Sequence, residues 1–312
     1  MDYTHLYKEK LPLTGPWGHA WDVFMSAYNP SERVRRAYDI ATSTDKYWIL
    51  HREYGLDKDR PSEACVCSEH ENEADFVRDC LSQILGGRDP TSVSLCVDVT
   101  GFMRPHLMFL VKYLFALGVR RFDAIYSEPS YYVGLEKAQF SARSITSVRQ
   151  VSGFEGVVCN DTSGDALIIG AGYESHLIAE VAEDKERATR ILLIGLPSLS
   201  ADMYQQSALR TQEAADALGE AMVERYFAPA NDPFATATVL SEIVSRLRAR
   251  KPITNLYLSP LATKAQALGF SLFYGKECDR TAASVIFPFS VNYSIESAAG
   301  VSRIWRFVME RP

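Results

Sequence analysis

No apolar run in this 312-residue chain approaches the roughly 18 residues that a bilayer-spanning helix needs, so no membrane span is expected. Cysteine is scarce. The six residues, Cys65, Cys67, Cys80, Cys96, Cys159 and Cys278, are too few and scattered for a disulfide scaffold. Cys80 and Cys96 lie inside apolar stretches and read as small buried hydrophobes. There is no basic excess either: 33 Lys and Arg face 39 Asp and Glu, for a net charge of −6. A protein gripping the phosphates of an extended duplex would normally be basic, so that partner is not expected. Met1 to Lys10 is polar and charged, which argues against a signal peptide and for a reducing, cytoplasmic setting.

Several catalytic signatures are missing as well. The six histidines, at positions 5, 19, 51, 70, 106 and 176, contain no HExxH pair. Cys65-x-Cys67 with His70 lacks a second ligand pair at zinc spacing, so no metal site is expected. Neither a Walker A loop nor a GxSxG elbow occurs. Gly170-x-Gly172 is half a dinucleotide fingerprint, and its third glycine would fall at Ser175. No cofactor is implied.

What the chain does contain is a soluble globular composition, 47% hydrophobic and 23% charged. Short apolar runs alternate with helical stretches. Strands are predicted near 21–26, 46–52, 93–98, 122–127, 165–170, 191–196, 255–259 and 284–289, with a closing strand over 302–309. Helices are predicted over about 31–41, 71–85, 105–117, 174–183, 203–227, 234–250 and 264–274. Ser31 and Asp232 stand as N-caps, Pro105 and Pro233 in first turns, and Gly86-Gly87 at a helix end. Strand–helix alternation predicts an α/β fold with mostly parallel, Rossmann-like sheet packing flanked by helices. Either one large sheet or two lobes is compatible. The less regular stretch 130–160 suggests a cut into an N-terminal lobe, 1–150, and a C-terminal lobe, 151–312.

In open parallel sheets, ligands bind beyond the carboxyl ends of the strands. After the first strand stand Tyr28, Asn29, Ser31 and Arg33. After the third come Asp98, Thr100 and Arg104, and after the fourth Glu128, with Tyr131 and Tyr132 beyond it. In the second half Gly172 and Glu174 follow one strand, and Thr263 and Lys264 another. Lys264 at a helix start opposes the helix dipole, a cost that makes sense if the position serves an anion. Thr263 also suits a plain N-cap. Asp98 and Glu128 are candidate general bases, with Arg104 able to pair with Asp98 or take a phosphate. Each can instead be a turn or strand-end residue.

The segment Asn255-Leu-Tyr-Leu-Ser-Pro-Leu-Ala-Thr-Lys-Ala-Gln-Ala-Leu-Gly269 resembles the strand, turn, Thr-Lys and helix element of CRISPR-associated Rossmann-fold (CARF) sensor domains. About 20 of the 312 residues carry the likeness. Ala262 stands where that family's turn has glycine, and Gln266 where an apolar residue is more usual. The resemblance implies that Thr263 and Lys264 contact a phosphate or base of a cyclic oligonucleotide, and that Tyr28, Asn29 and Ser31 form a second ligand loop. It also implies an effector domain, and no nuclease motif is evident. The chain resembles stand-alone bacterial defence proteins, which implies an antiviral setting.

Three expectations follow. The first is a sensor for a nucleotide or oligonucleotide, with an anionic small molecule or short oligonucleotide as partner. The second is a nucleotide- or nucleoside-processing enzyme, a hydrolase or phosphodiesterase, using Asp98 or Glu128. The third is an interaction subunit, a homodimer or one bound to a partner subunit, through Tyr131-Tyr132 or the strand Ile304-Trp305-Arg306-Phe307.

Overall fold

A computed structural model describes residues 1–56, 60–132, 145–199, 205, 209, 213, 218, 223–290 and 298–311. In chain order it opens with β1 (Lys8–Leu11), β2 (Ala20–Ala27), α1 (Glu32–Ile40), β3 (Thr42–Leu50) and β4 (Cys65–Cys67). Next come α2 (Glu73–Leu85), β5 (Leu95–Asp98), α3 (Arg104–Ala116), β6 (Arg121–Glu128), β7 (Tyr131–Tyr132) and β8 (Ile145–Gln150). Then follow β9 (Ala166–Ala171), α4 (Ser175–Asp184), β10 (Thr189–Gly195), β11 (Glu224–Ala228), α5 (Pro233–Arg250) and β12 (Leu256–Pro260). The chain closes with α6 (Lys264–Phe273), β13 (Ala283–Ser290), β14 (Ala298–Ala299) and β15 (Arg303–Glu310).

Contacts divide the chain into two compact units. The first unit comprises Leu6–Ala142 and Asn292–Arg311; the second comprises Met1–His5, Arg143–Val291 and Pro312. The expected lobes met at 150/151. In the structure β8 belongs to the second unit and β15 to the first. The reason is strand pairing: β15 hydrogen-bonds along its length to β6, from Arg303 opposite Glu128 to Glu310 opposite Arg121. At the chain start, buried Tyr3 packs within the second unit, donating its hydroxyl to Glu277 (2.8 Å) and its backbone N–H to Thr238.

The sheet of the first unit runs β1-β15-β6-β5-β2-β3-β4. The sheet of the second runs β11-β10-β9-β12-β13-β8. Strands β2 to β6 pair in parallel, as do β9 to β13, while β15, β1 and β8 are antiparallel. Counted within each unit, both parallel sets share the order 3-2-1-4-5, with an antiparallel strand beside the fifth. This is the order of a Rossmann sheet, which reverses between its first and fourth strands. The central strands β5 and β9 are buried along their whole length, as a sheet covered on both faces requires.

The two units also share a device at the amino ends of those strands. Asp22 of β2 accepts from the backbone N–H (2.7 Å) and hydroxyl (2.8 Å) of Ser94, just ahead of β5. Asp165, just ahead of β9, accepts from Thr254 (2.8 Å) and the Asn255 amide (2.7 Å), just ahead of β12. Each pairing sets the register of the first strand against the fourth.

Capping follows the sequence. Ser31 accepts from the N–H of Arg33, Asn72 from Ala74 and Asp75, Asp232 from Phe234 and Ala235, and Thr263 from Gln266. One predicted helix is shortened. Residues 205, 209, 213 and 218 are helical, and the rest of 203–222 lies outside the described residues. Glu224–Ala228, however, is the edge strand β11, paired in parallel with β10 from Ile191 opposite Glu224. The Ala- and Glu-rich composition upstream suggested a continuing helix. The β-prone Tyr226 and Phe227 instead complete the sheet edge. The short strands β1 and β4, also edge or near-edge pieces, had no clear signal in sequence. Of the predicted charged loop at 57–60, residues 57–59 lie outside the described residues.

Candidate functional site

In each unit the strand order reverses between the first and fourth strands, and the crevice beyond their carboxyl ends is where such sheets bind ligands. In the first unit that point joins β2 and β5, where Ser26 stands opposite Asp98. The Ser26 hydroxyl donates to Asp98 Oδ2 (2.8 Å). The hydroxyl and backbone N–H of Thr100 donate to Oδ1 (2.6 and 3.0 Å). Thr100 Oγ1 in turn accepts from the N–H of Ser127 (3.0 Å), and buried Arg33 donates to the Ser127 carbonyl (3.0 Å). Asp98 is wholly buried. Burial pushes its carboxyl up to about 6, against the opposing pull of the Thr100 and Ser26 hydrogen bonds and the Arg33 charge.

Neighbouring candidates sit on the same edge. Asn29 accepts from the N–H of Ser31, and Ser31 caps α1. Tyr28 is buried edge-on against Trp48, its ring beneath the Arg35 guanidinium. Arg104 is the first residue of α3. Glu128 is buried at the end of β6, paired with Arg303 (3.3 Å) and accepting from the Trp305 indole N–H. Gly101 lies so close to β2 that a Cβ there would fall 2.0 Å from the Ala27 carbonyl oxygen.

In the second unit the equivalent point joins β9 and β12. Gly172 meets Leu261 in the same manner: an added Cβ would lie 2.4 Å from the Leu261 carbonyl oxygen. At both reversals, therefore, two strand-end backbones touch and only glycine fits. Thr263 caps α6 through the Gln266 N–H (3.1 Å) and donates its hydroxyl to the carbonyl of Ala230, which ties α6 to the loop after β11. Lys264 is the first residue of α6 and the positional counterpart of Arg104. Glu174 is the largely buried N-cap residue of α4, without a side-chain capping bond, and its carboxylate lies 4.0 Å from His176.

Sequence reading noted Gln266 as a departure from the resembled motif and gave it no role in the site. From Ala265 to Phe273 every residue of α6 is buried, and Gln266 is 1% exposed. Among the described residues, neither its amide nitrogen nor its amide oxygen has a hydrogen-bond partner. The oxygen lies 3.7 Å from where a Cβ on Gly195, the last residue of β10, would sit. The Ser259 hydroxyl near the end of β12 is fully buried and likewise has no partner among the described residues. The available signal was a polar residue in an otherwise small and apolar helix, together with glycine at the end of β10.

The candidates thus fall into two groups. Tyr28, Asn29, Ser31, Arg33, Asp98, Thr100, Arg104 and Glu128 share the carboxyl edge of the first unit. Gly172, Glu174, Thr263 and Lys264 share that of the second. Asp98 belongs to the first unit and Lys264 to the second. The Ile304–Phe307 segment lies in β15, paired on both sides, with Ile304 and Phe307 buried in the core of the first unit. It is therefore a core strand and not an exposed interaction surface. Tyr131 is exposed in β7. Among the described residues no group of three or more His, Cys, Asp or Glu is placed to hold a metal ion, and no helix is long and apolar enough to cross a membrane. Cys65 and Cys67 are exposed on β4.

The chain matches no protein-family model, no curated protein and no solved structure.

Proposed function

We propose that this protein is a sensor that binds a nucleotide or short oligonucleotide at the carboxyl edge of its second unit. The observation that carries this reading is the reversal point between β9 and β12. There the Thr263-capped first turn of α6 carries the buried Gln266 amide, and the end of β12 the buried Ser259 hydroxyl, neither with a partner among the described residues. A helix N-terminus favours an anion, and Lys264 at its first position adds positive charge where the dipole alone disfavours it. The likeness of residues 255–269 to CARF sensor domains points to the same ligand class and to antiviral defence as the setting.

A second reading, a nucleotide- or nucleoside-processing enzyme, draws on Asp98. A carboxyl pushed up to about 6 is poised for proton transfer near neutrality. It ranks lower because both Asp98 oxygens are already engaged by Ser26 and Thr100, and Glu128 is held by Arg303 and Trp305.

Thermal shift with mono-, di- and cyclic oligonucleotides, followed by mass spectrometry of the same mixtures, separates the two. A sensor raises the melting temperature and returns the ligand intact. An enzyme returns product. No shift with any member of the panel would remove the sensor reading.

A further inference from the structure

The Gln266 amide is the most unusual polar group in the second unit. Burying a carboxamide without hydrogen bonds is costly, and native structures leave few such groups without a reason. Its place is informative. Gln266 is the third residue of α6, its backbone N–H is already taken by Thr263, and its amide oxygen lies against Gly195 at the carboxyl end of β10. The absence of a side chain at Gly195 lets the amide approach the end of β10: a Cβ there would come 3.0 Å from the Ala230 methyl and 3.7 Å from the amide oxygen. The amide therefore stands between the start of α6 and the carboxyl end of β10, whereas Phe270, one turn further along α6, packs over Gly170.

We propose that Gln266 is the specificity-determining residue of this site. It engages a ligand edge that offers a hydrogen-bond donor beside an acceptor, while the α6 N-terminus and Lys264 take the ligand's anionic group. A primary amide presents one acceptor and two donors in a plane. Its complement is a planar edge with the same alternation, as on any nucleobase, and glutamine pairs with base edges in this two-bond manner. A sugar phosphate supplies the anion without that edge. The inference rests on the nucleotide reading of the site and goes beyond it, because it assigns discrimination to one side chain.

The test compares the four ribonucleoside monophosphates with ribose 5-phosphate on the wild type, Gln266→Met, Gln266→Glu and Lys264→Ala, by calorimetry. Methionine matches glutamine in length and removes an unsatisfied polar group, so Gln266→Met should fold and melt no lower than wild type. The wild type should bind at least one nucleotide about tenfold or more tightly than ribose 5-phosphate, the scale of a two-bond base contact. Gln266→Met should erase that ratio and leave ribose 5-phosphate binding unchanged. Gln266→Glu, which retains only the acceptor, should change which nucleotide is preferred. Lys264→Ala should weaken nucleotide and sugar phosphate in parallel and preserve the ratio. A wild-type preference that persists in both folded Gln266 variants overturns the assignment and leaves the nucleotide site standing. A wild type that binds none of the five compounds overturns the site and the assignment together.

Discussion

At the residue scale, two side chains carry opposite electrostatic costs. Lys264 puts a cation at a helix start, where the dipole is already positive. Without a ligand role its removal should leave stability unchanged or raise it by a few tenths of a kcal/mol. In the proposed site it contributes a charge-assisted contact worth about 1.5–3 kcal/mol. Lys264→Ala should therefore melt as wild type does and bind nucleotide roughly tenfold to a hundredfold more weakly. Added salt should weaken binding by the wild type more than by the variant. Unchanged affinity in a titration would remove Lys264 from the site. Asp98 is a carboxyl in a dry place. Its native-state value of about 6 lies above the usual 3.8, so between those limits the folded protein holds a proton that the unfolded chain releases. Its contribution to stability is full below about pH 4 and is lost as pH rises through 6. Asp98→Asn does not titrate. The stability of wild type minus that of Asp98→Asn should therefore grow by on the order of 3 kcal/mol from pH 7 to pH 4, at about 1.4 kcal/mol per decade. Urea titrations at a series of pH values measure this, and a flat difference would show that burial does not hold the proton.

At the element scale, the first sheet depends on a strand that arrives from the far end of the chain. β15 fills the gap between β1 and β6, and its Arg306 is nearly buried. That guanidinium donates to Asp123 of β6 (2.8 Å) and Glu9 of β1 (2.7 Å), bridging both neighbours. The Trp21 indole N–H donates to the same Asp123 oxygen (2.8 Å). Removing one member of a buried ion pair strands the other charge at a cost of about 3–5 kcal/mol. Arg306→Met keeps the apolar stem and should lower unfolding free energy by that amount, whereas Arg36→Met on α1, whose partner Glu32 is solvent-exposed, should cost far less. Equal losses in the two variants, read from denaturation curves, would mean that strand pairing alone holds β15 in place.

At the scale of the whole molecule, the two units repeat one plan: the same strand order, an aspartate clamp at the amino ends, and a glycine contact at the reversal point. All four tryptophans, Trp17, Trp21, Trp48 and Trp305, belong to the first unit. Tryptophan fluorescence therefore reports on that unit, and far-UV circular dichroism on both. Gly101→Ala forces a methyl against the Ala27 carbonyl, and Gly172→Ala forces one against that of Leu261. Each backbone clash should cost about 2 kcal/mol or more. Gly101→Ala should lower the urea midpoint seen by fluorescence. Gly172→Ala should leave that midpoint in place and lower the dichroism midpoint. If both variants shift both probes equally, the units unfold as one cooperative block.

The amino-acid sequence by itself determined the alternation of strands and helices, and the caps at Ser31, Asp232 and Thr263, because these depend on side chains within a few positions of the backbone they serve. The ends of β2, β5, β6 and β12 were legible for the same reason, and with them Asn29, Asp98, Thr100 and Lys264 as strand-end residues. Tertiary structure alone decided which strands are neighbours. Glu9 and Arg306 are 297 positions apart yet share an ion pair, and no local propensity encodes that meeting. The same limit hid β11, whose five residues become a strand only because β10 offers an unpaired edge. It also separated Asp98 from Lys264, which the sequence placed in similar loops but the sheets assign to different units. Gln266 followed the same rule: a glutamine in a first turn is ordinary, and what sets it apart is the burial that α6 acquires once packed against β9 and β10.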